Sequence, residues 1–306
     1  MNIVVVGAGA MGSLFGALLS EGGHTVTLLD IWREHVEAVN RNGLMIEDAQ
    51  GERRVALRAV AGIERPASAD AVIVFVKSMH TAEAAATAAA VMRTDGCVLT
   101  LQNGMGNAEQ IADHVAAYRI LAGTTAHGAT LLGPGRIRHA GRGPTIIGPW
   151  QKDSPEAAVV MANVLNAAGI ETATAAEVQT VLWNKLLVNV GINAVTALTG
   201  IKNGQLLDFP DTRELTRSAV EEAMAVARAM GAAVRKDAVA HVFQVAEATA
   251  ANRSSMGQDV DAGRPTEIEA INGFVVRQAE TRGVATPVNR TLTTLVKTRQ
   301  AHYGGA

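Results

Sequence analysis

The chain has 306 residues, 48% hydrophobic and 18% charged, a composition that excludes disordered and fibrous classes and allows two domains, each with its own core. Its 27 Lys and Arg against 29 Asp and Glu give a formal net charge of −2, so no basic field for nucleic acid or an anionic membrane is evident. The one cysteine, Cys97, cannot form an internal disulfide and fits a reducing, cytoplasmic setting.

Met1 leads directly into NIVVVGAGAMG, which reads as a strand and not as a secretory signal. Ile3 to Val6 meets Gly7, Gly9 and Gly12 in the pattern G-x-G-x-x-G, and MGSLFGALLS follows at helical spacing. In such a strand-turn-helix unit the first glycine allows the turn, the second admits a pyrophosphate to the backbone and the third lets helix pack on strand. The free N–H groups of the helix start, beginning at Ala10 and Met11, favour the anion. The unit predicts dinucleotide binding.

HTVTLLD reads as the second strand, ending at Asp30, eighteen residues beyond Gly12. An acidic side chain there can accept hydrogen bonds from the ribose hydroxyls and would repel a 2′-phosphate, which favours NAD over NADP. Two alternatives stay open: Asp30 as N-cap of the next helix, and Arg33 as a partner for a phosphate.

A helix is expected over 34–41, with short strands over 44–46 and 53–60. AVIVFV from Ala71 is the apolar run of a central parallel strand. Lys77 lies at its carboxyl end, where it would meet cofactor or substrate or be a solvated loop lysine. A helix over 80–92 and a strand over 96–101 follow, ending at Asn103, beside glycines that admit a ligand or simply make a tight turn. The 120–148 stretch alternates with period two between Gly-Pro-Gly and Gly-Arg-Gly turns, predicting an antiparallel extension of the sheet. His127 and His139 within it read as ordinary sheet histidines. A helix over 155–168 and a strand over 170–174 close an α/β Rossmann-type domain of residues 1–175.

Residues 176–306 read as an all-α domain, with helices over 178–198, 213–230 and 235–251, a break at Ser254 to Met256, a helix introduced by Pro265 through a capping box at Thr266 to Glu269, and a last helix opened by Pro287. The first of these carries Lys185, Asn189 and Asn193 four residues apart. Each such step turns about 40° past a full circle, so the three share one face. A buried ammonium is costly unless a neighbour needs its charge or proton; the stripe is either the floor of a polar cleft or a lysine snorkelling at the edge of a groove. Ser255 could place a hydroxyl on a carboxylate. Glu267 would either serve the site or complement a helix dipole. No uninterrupted apolar run reaches the roughly 18 to 20 residues of a membrane span, and the apolar helix faces could support a homodimer.

GAGAMG, LQNGMGN, HGATLLGPGRIRHAGRG, WNKLLVNVGINAVTAL and SSMGQDVDAGRPTEIEAINGFV together resemble the ketopantoate reductase family (2-dehydropantoate 2-reductase) over nearly the whole chain. The resemblance implies a place in pantothenate biosynthesis and a nicotinamide cofactor, with NADP as the family's usual choice. By resemblance Lys185 would donate the proton, Glu267 would be its acidic neighbour and Asn103 would contact both lysine and substrate. Asn189, Asn193 and Asn203 would hold the oxygens of a 2-oxo acid, Ser255 its carboxylate, and Lys77 would lie near the cofactor. The chain departs from NADPH-using members in placing Asp30, Ile31 and Trp32 where they carry an arginine. That departure opens an alternative, an NAD-dependent D-2-hydroxyacid dehydrogenase of the D-mandelate type. A non-catalytic dinucleotide-binding redox sensor is the reading outside catalysis.

Overall fold

A computed structural model describes residues 1–62, 68–151 and 155–303, which divide into two compact units. One comprises Met1–Gln102 and Asn107–Val178; the other comprises Asn103–Gly106 and Gln179–Ala306.

The first unit contains β1 (Asn2–Val6), α1 (Ala10–Glu21), β2 (Thr25–Asp30), α2 (Arg33–Asn42), β3 (Leu44–Asp48), β4 (Gly51–Val55), β5 (Arg58–Ala61), β6 (Ala69–Val74), α3 (Thr81–Val91), β7 (Met92–Thr100), α4 (Asn107–Ala112), β8 (Ile120–Thr125), β9 (Gly128–Gly133), β10 (Arg136–Gly141), β11 (Thr145–Pro149), α5 (Pro155–Ala167) and β12 (Thr172–Thr174). Its main sheet runs β12-β11-β8-β7-β6-β1-β2-β5. β8 and β11 are antiparallel, and every other neighbouring pair is parallel. Strand order reverses at β1, the mark of a doubly wound fold, whose ligands bind beyond the carboxyl ends of the strands. Covered on both faces, β1 buries Ile3, Val4, Val5 and Val6 almost completely, which explains its unbroken apolar run.

Two expectations change. The stretch expected as one strand over 53–60 breaks after Val55: β4 pairs antiparallel with β3, whereas β5 pairs parallel with β2. The antiparallel extension is likewise shared between two sheets. β8 and β11 stay in the main sheet, while the β9–β10 hairpin joins β3 and β4 in a four-stranded sheet ordered β4-β3-β10-β9. Packing decides this, because α1 lies against β9 and β10 and Ile46 and Ile137 of the small sheet are buried in the same core as α1.

The second unit is helical: α6 (Val178–Thr199, whose first residue belongs to the first unit), α7 (Pro210–Ala229), α8 (Ala238–Ala248), α9 (Ser255–Asp261), α10 (Asn272–Glu280) and α11 (Pro287–Ala301). α6 is long and apolar enough to cross a membrane by length and composition, yet 61% of its apolar window is buried in the protein. Trp183, Leu186, Leu187, Val190, Ala194 and Val195 join a core distinct from that of the sheet unit. At Gly191 a Cβ would stand 2.8 Å from Val242 and 2.9 Å from Val220, so α7 and α8 press close to α6. The expected break at Ser254–Met256 is instead the start of α9, with Ser254 as N-cap. Nor does a helix begin at the Thr266 capping box: residues 266–271 form turns in which Ala270 and Ile271 N–H donate to the Glu267 carbonyl, and α10 starts at Asn272.

Candidate active site

In the sheet unit, β1 runs into Gly7, whose φ of +95° suits glycine; a Cβ there would lie 2.6 Å from Val76 N. At Gly12 a Cβ would meet the Gly7 carbonyl oxygen at 1.9 Å, whereas at Gly9 it would meet nothing within 4 Å. Two glycines therefore close the turn, and the third keeps open the space where a pyrophosphate would approach. α1 starts at Ala10, with Met11 and Gly12 in its first turn, no acidic residue there and no side-chain cap on its N-terminus. Its first N–H groups lack helical acceptors and favour an anion. The residues present fit a dinucleotide.

Asp30 grips this turn. Its Oδ2 accepts the Ala8 N–H at 2.6 Å and its Oδ1 accepts the Trp32 N–H at 2.9 Å, so it organises the start of α2 as well as the loop. A second chain of bonds was not foreseen from sequence. Gly135 N–H donates to His35 Nδ1, which puts the ring proton on Nε2, 3.2 Å from the Ser13 hydroxyl; Ser13 in turn donates to the Ala8 carbonyl at 2.8 Å. Burial holds His35 below the ordinary histidine range despite the opposing pull of Asp30, consistent with the neutral ring this chain requires. Lys77, half-buried, follows the Val76 that packs on Gly7. Gln102 ties the neighbouring strand ends together, its Nε2 donating to the Val76 carbonyl at 2.8 Å and to Thr81 Oγ1 at 2.9 Å. His127 and His139 are partners, Nδ1 to Nε2 at 3.1 Å with stacked rings. Burial first, then the neighbouring His139 and Arg142, push His127 down to about 4. Among the described residues no cluster of three or more metal-ligating side chains occurs.

In the helical unit, Lys185 is half-buried as a residue. Burial around its ammonium lowers its pKa to about 8, against the pull of Glu267. Glu267 is 6% exposed, and its Oε2 accepts from Asn103 Nδ2 at 3.4 Å. The loop that carries Asn103 is fastened to the turn that carries Glu267: Met105 N–H donates to the Ala270 carbonyl at 2.8 Å, and a Cβ on Gly104, at φ +80°, would strike Ala270 at 2.6 Å. This close approach brings Asn103 and Glu267 together from distant parts of the sequence, and Glu267 in turn acts on Lys185.

Along the Lys185 stripe, the Nδ2 atoms of Asn189 and Asn193 are buried, and no acceptor among the described residues meets them. Such groups are costly to leave unmade. Past the end of α6, Asn203 Nδ2 donates to Thr249 Oγ1 at 3.0 Å, while its buried Oδ1 also lacks a partner among the described residues. The Thr196 hydroxyl lies 2.7 Å from Ser254 Oγ, which accepts the Gly257 N–H at 3.0 Å; Ser255 beside it is exposed. Arg253 Nη1 donates to the Thr196 and Ile201 carbonyls at 2.7 and 2.8 Å, and its Nη2 pairs with Asp261 at 2.8 Å. Thr196, Ser254 and Arg253 thus hold the end of α6 to α9, roles with no local sequence signal. The helical unit brings together Lys185, Asn103 and Glu267, and fixes Asn203 and Ser255 by the α6 end; the sheet unit holds Gly7, Gly9, Ala10, Met11, Gly12, Asp30 and Lys77.

Residues 3–152 match the family described as Ketopantoate reductase PanE/ApbA, and residues 177–300 match its C-terminal family, Ketopantoate reductase PanE/ApbA C terminal. The chain is similar to the 2-dehydropantoate 2-reductase of Halobacterium salinarum, 43% identical over 302 residues that cover 98% of this chain and 99% of that one. Among solved structures it resembles a ternary structure of D-mandelate dehydrogenase with NADH and anilino(oxo)acetate, at a TM-score of 0.94 and 28% identity over 99% and 100% of the two chains. A PanE/ApbA family ketopantoate reductase from Ralstonia eutropha gives a TM-score of 0.92 and 31% identity over 99% of this chain and 100% of that one.

Proposed function

The chain belongs to the ketopantoate reductase family, and on that premise we propose that it reduces the ketone of 2-dehydropantoate to the secondary alcohol of pantoate. The observation that carries the reading is the α6 stripe: an ammonium with its pKa lowered to about 8 beside two buried amide donors that no protein acceptor meets among the described residues. A substrate with several oxygens supplies those acceptors.

When bound, a reduced nicotinamide would supply the hydride for the carbonyl carbon. Lys185 supplies the proton to the carbonyl oxygen, so hydride and proton together balance ketone to alcohol. With a pKa near 8 the lysine is still mostly protonated at neutral pH, and it is a stronger acid than the ordinary value of about 10.4 would make it. The same charge, partly desolvated, stabilises the developing alkoxide more than it would in water. Glu267 holds the ammonium charged, and Asn103 positions Glu267 and reaches the substrate. Asn189, Asn193 and Asn203 bind the remaining oxygens, and Ser255 takes the carboxylate. The proton donor argues against a redox sensor that performs no chemistry.

In the sheet unit Gly7, Gly9 and Gly12 shape the loop, the N–H groups at Ala10 and Met11 take the pyrophosphate, and Lys77 adds a cation near it. Asp30 makes one bond through each oxygen to the backbone and retains acceptor capacity for ribose hydroxyls. Its charge opposes a 2′-phosphate, which supports NAD over NADP. The Asp30 position and the likeness to an NADH-bound D-mandelate dehydrogenase also support a second reading, an NAD-dependent D-2-hydroxyacid dehydrogenase. Steady-state kinetics with 2-dehydropantoate, 2-oxoisovalerate and phenylglyoxylate, each with NADH and NADPH, separates the two. The proposal expects the highest kcat/KM with 2-dehydropantoate and NADH. Preference for phenylglyoxylate would replace the substrate, and a preference for NADPH beyond tenfold would overturn the role of Asp30.

A further inference from the structure

α7 and α8 flank an open groove of about 660 Å³ that none of the proposed site residues lines, a volume within the usual range for small-molecule sites, and its charged side chains are exposed. Arg213, Arg217, Glu221, Met224 and Arg228 of α7 face it, with Lys236, Asp237, Val239, Ala240 and Phe243 opposite. Steps of four, four, three and four residues keep the five α7 positions on one helical stripe.

The charges are grouped at the groove's ends. At one end the Arg213 and Arg217 guanidinium carbons lie 5.6 and 5.8 Å from the centroid of the single Phe243 ring, so two like charges crowd one aromatic side chain. At the other end are Arg228 and Lys236. The middle is Met224, Val239 and Ala240, with Glu221 disfavouring a negative charge there. Arg217 has a loose 3.4 Å pair with Glu214, and Asp237 is already taken by Arg235 at 2.8 Å. Among the described residues Arg213, Arg228 and Lys236 have no carboxylate partner, in contrast to Arg53 and Arg136, each of which meets two. A concentration of unpaired cations stands out on a chain whose net charge is −2, and paired guanidinium groups suit the planar oxygen pairs of phosphate and carboxylate.

We propose that the α7–α8 groove binds an elongated small molecule bearing a phosphate or carboxylate at each end and an apolar stretch between, the Arg213–Arg217 pair gripping one end and Arg228 with Lys236 the other. The guanidinium pair would exchange mutual repulsion for charge-assisted hydrogen bonds, and the apolar floor would cover the ligand's middle.

Isothermal titration calorimetry tests this on the full chain, saturated with NADH to occupy the glycine loop and held at constant ionic strength. The probes are octanediyl bisphosphate, decanedioate and octyl phosphate. The groove predicts one-to-one binding of at least one doubly charged probe, at least about tenfold tighter than octyl phosphate; which of the two wins tells phosphate from carboxylate. Arg213→Gln with Arg217→Gln should weaken binding at least about tenfold, as should Arg228→Gln with Lys236→Gln, with melting temperature as the check on folding. Arg213→Lys with Arg217→Lys, which keeps the charge, should retain more affinity than the Gln pair. Binding no tighter than octyl phosphate, or indifferent to the Gln variants, would overturn the proposal. So would a Gln pair that changes the sedimentation of the protein while no probe binds, the outcome expected of a surface that meets a second copy.

Discussion

The glycine loop and the Lys185 stripe solve opposite problems. Around the loop polar groups satisfy one another: Ala8 N–H by Asp30, Ala8 carbonyl by Ser13, Ser13 by His35, and His35 by Gly135. Along α6 the pattern is reversed, with two buried amide donors unmet among the described residues and an ammonium whose burial lowers its pKa. A loop that must present backbone N–H groups to a phosphate is best built rigid. A stripe that must grip a substrate and give it a proton has to leave donors unmade in the free protein, at a cost in stability.

The largest effect that could break this contrast is on turnover. Lys185→Ala is expected to lower kcat by about 10² to 10⁴, with the dissociation constant for NADH, measured by fluorescence titration, nearly unchanged; near-normal turnover would remove the proton-donor role. Next, Gly12→Ala drives a Cβ into the Gly7 carbonyl oxygen, and the loop must shift at a cost of roughly 1 to 3 kcal/mol by chemical denaturation, with NADH affinity falling in parallel. The contrast sharpens in a matched pair. Ser13→Ala strands buried groups and should cost about 1 to 3 kcal/mol, whereas Asn193→Leu removes an unmet donor and should leave stability equal or higher while impairing activity. Were the two to destabilise alike, the difference between the regions would vanish.

The smallest expected effect is on acid stability. Burial holds His35, His127 and His139 below the ordinary value of 6.5, so the unfolded chain binds more protons in that window. Stability is then fully present above about 6.5 and falls as pH drops towards 4. His127→Gln should make that fall shallower in a series of thermal melts between pH 7 and 4.

What the sequence made legible is what the backbone encodes locally. The glycine turn, the acidic end of β2 and the four-residue stripe of α6 follow from spacing alone, and the doubly wound sheet follows from its apolar runs. Long-range closure is where the reading thins. Glu267 is singled out in the first turn of an expected helix, its place beside Lys185 implied by the resemblance; it lies in a turn that α10 follows. That Asn103–Gly106 packs with the helical unit rests on the Met105 to Ala270 bond, which no periodicity encodes. His35 and Ser13 look like ordinary helix residues until Gly135 arrives a hundred positions later. The strands around Leu57 separate because α1 draws part of the chain into a second sheet, a packing outcome and not a local propensity.

The central claim is that a lysine acidified by burial delivers the proton, and the pH dependence of single-turnover NADH oxidation tests it most directly. The rate should fall as pH rises through about 8, because only protonated Lys185 can donate. In Glu267→Gln the same limb should move to lower pH, since the charge that raises the lysine's pKa is gone. A rate flat from pH 7 to 10, or a limb that Glu267→Gln leaves in place, would contradict the account.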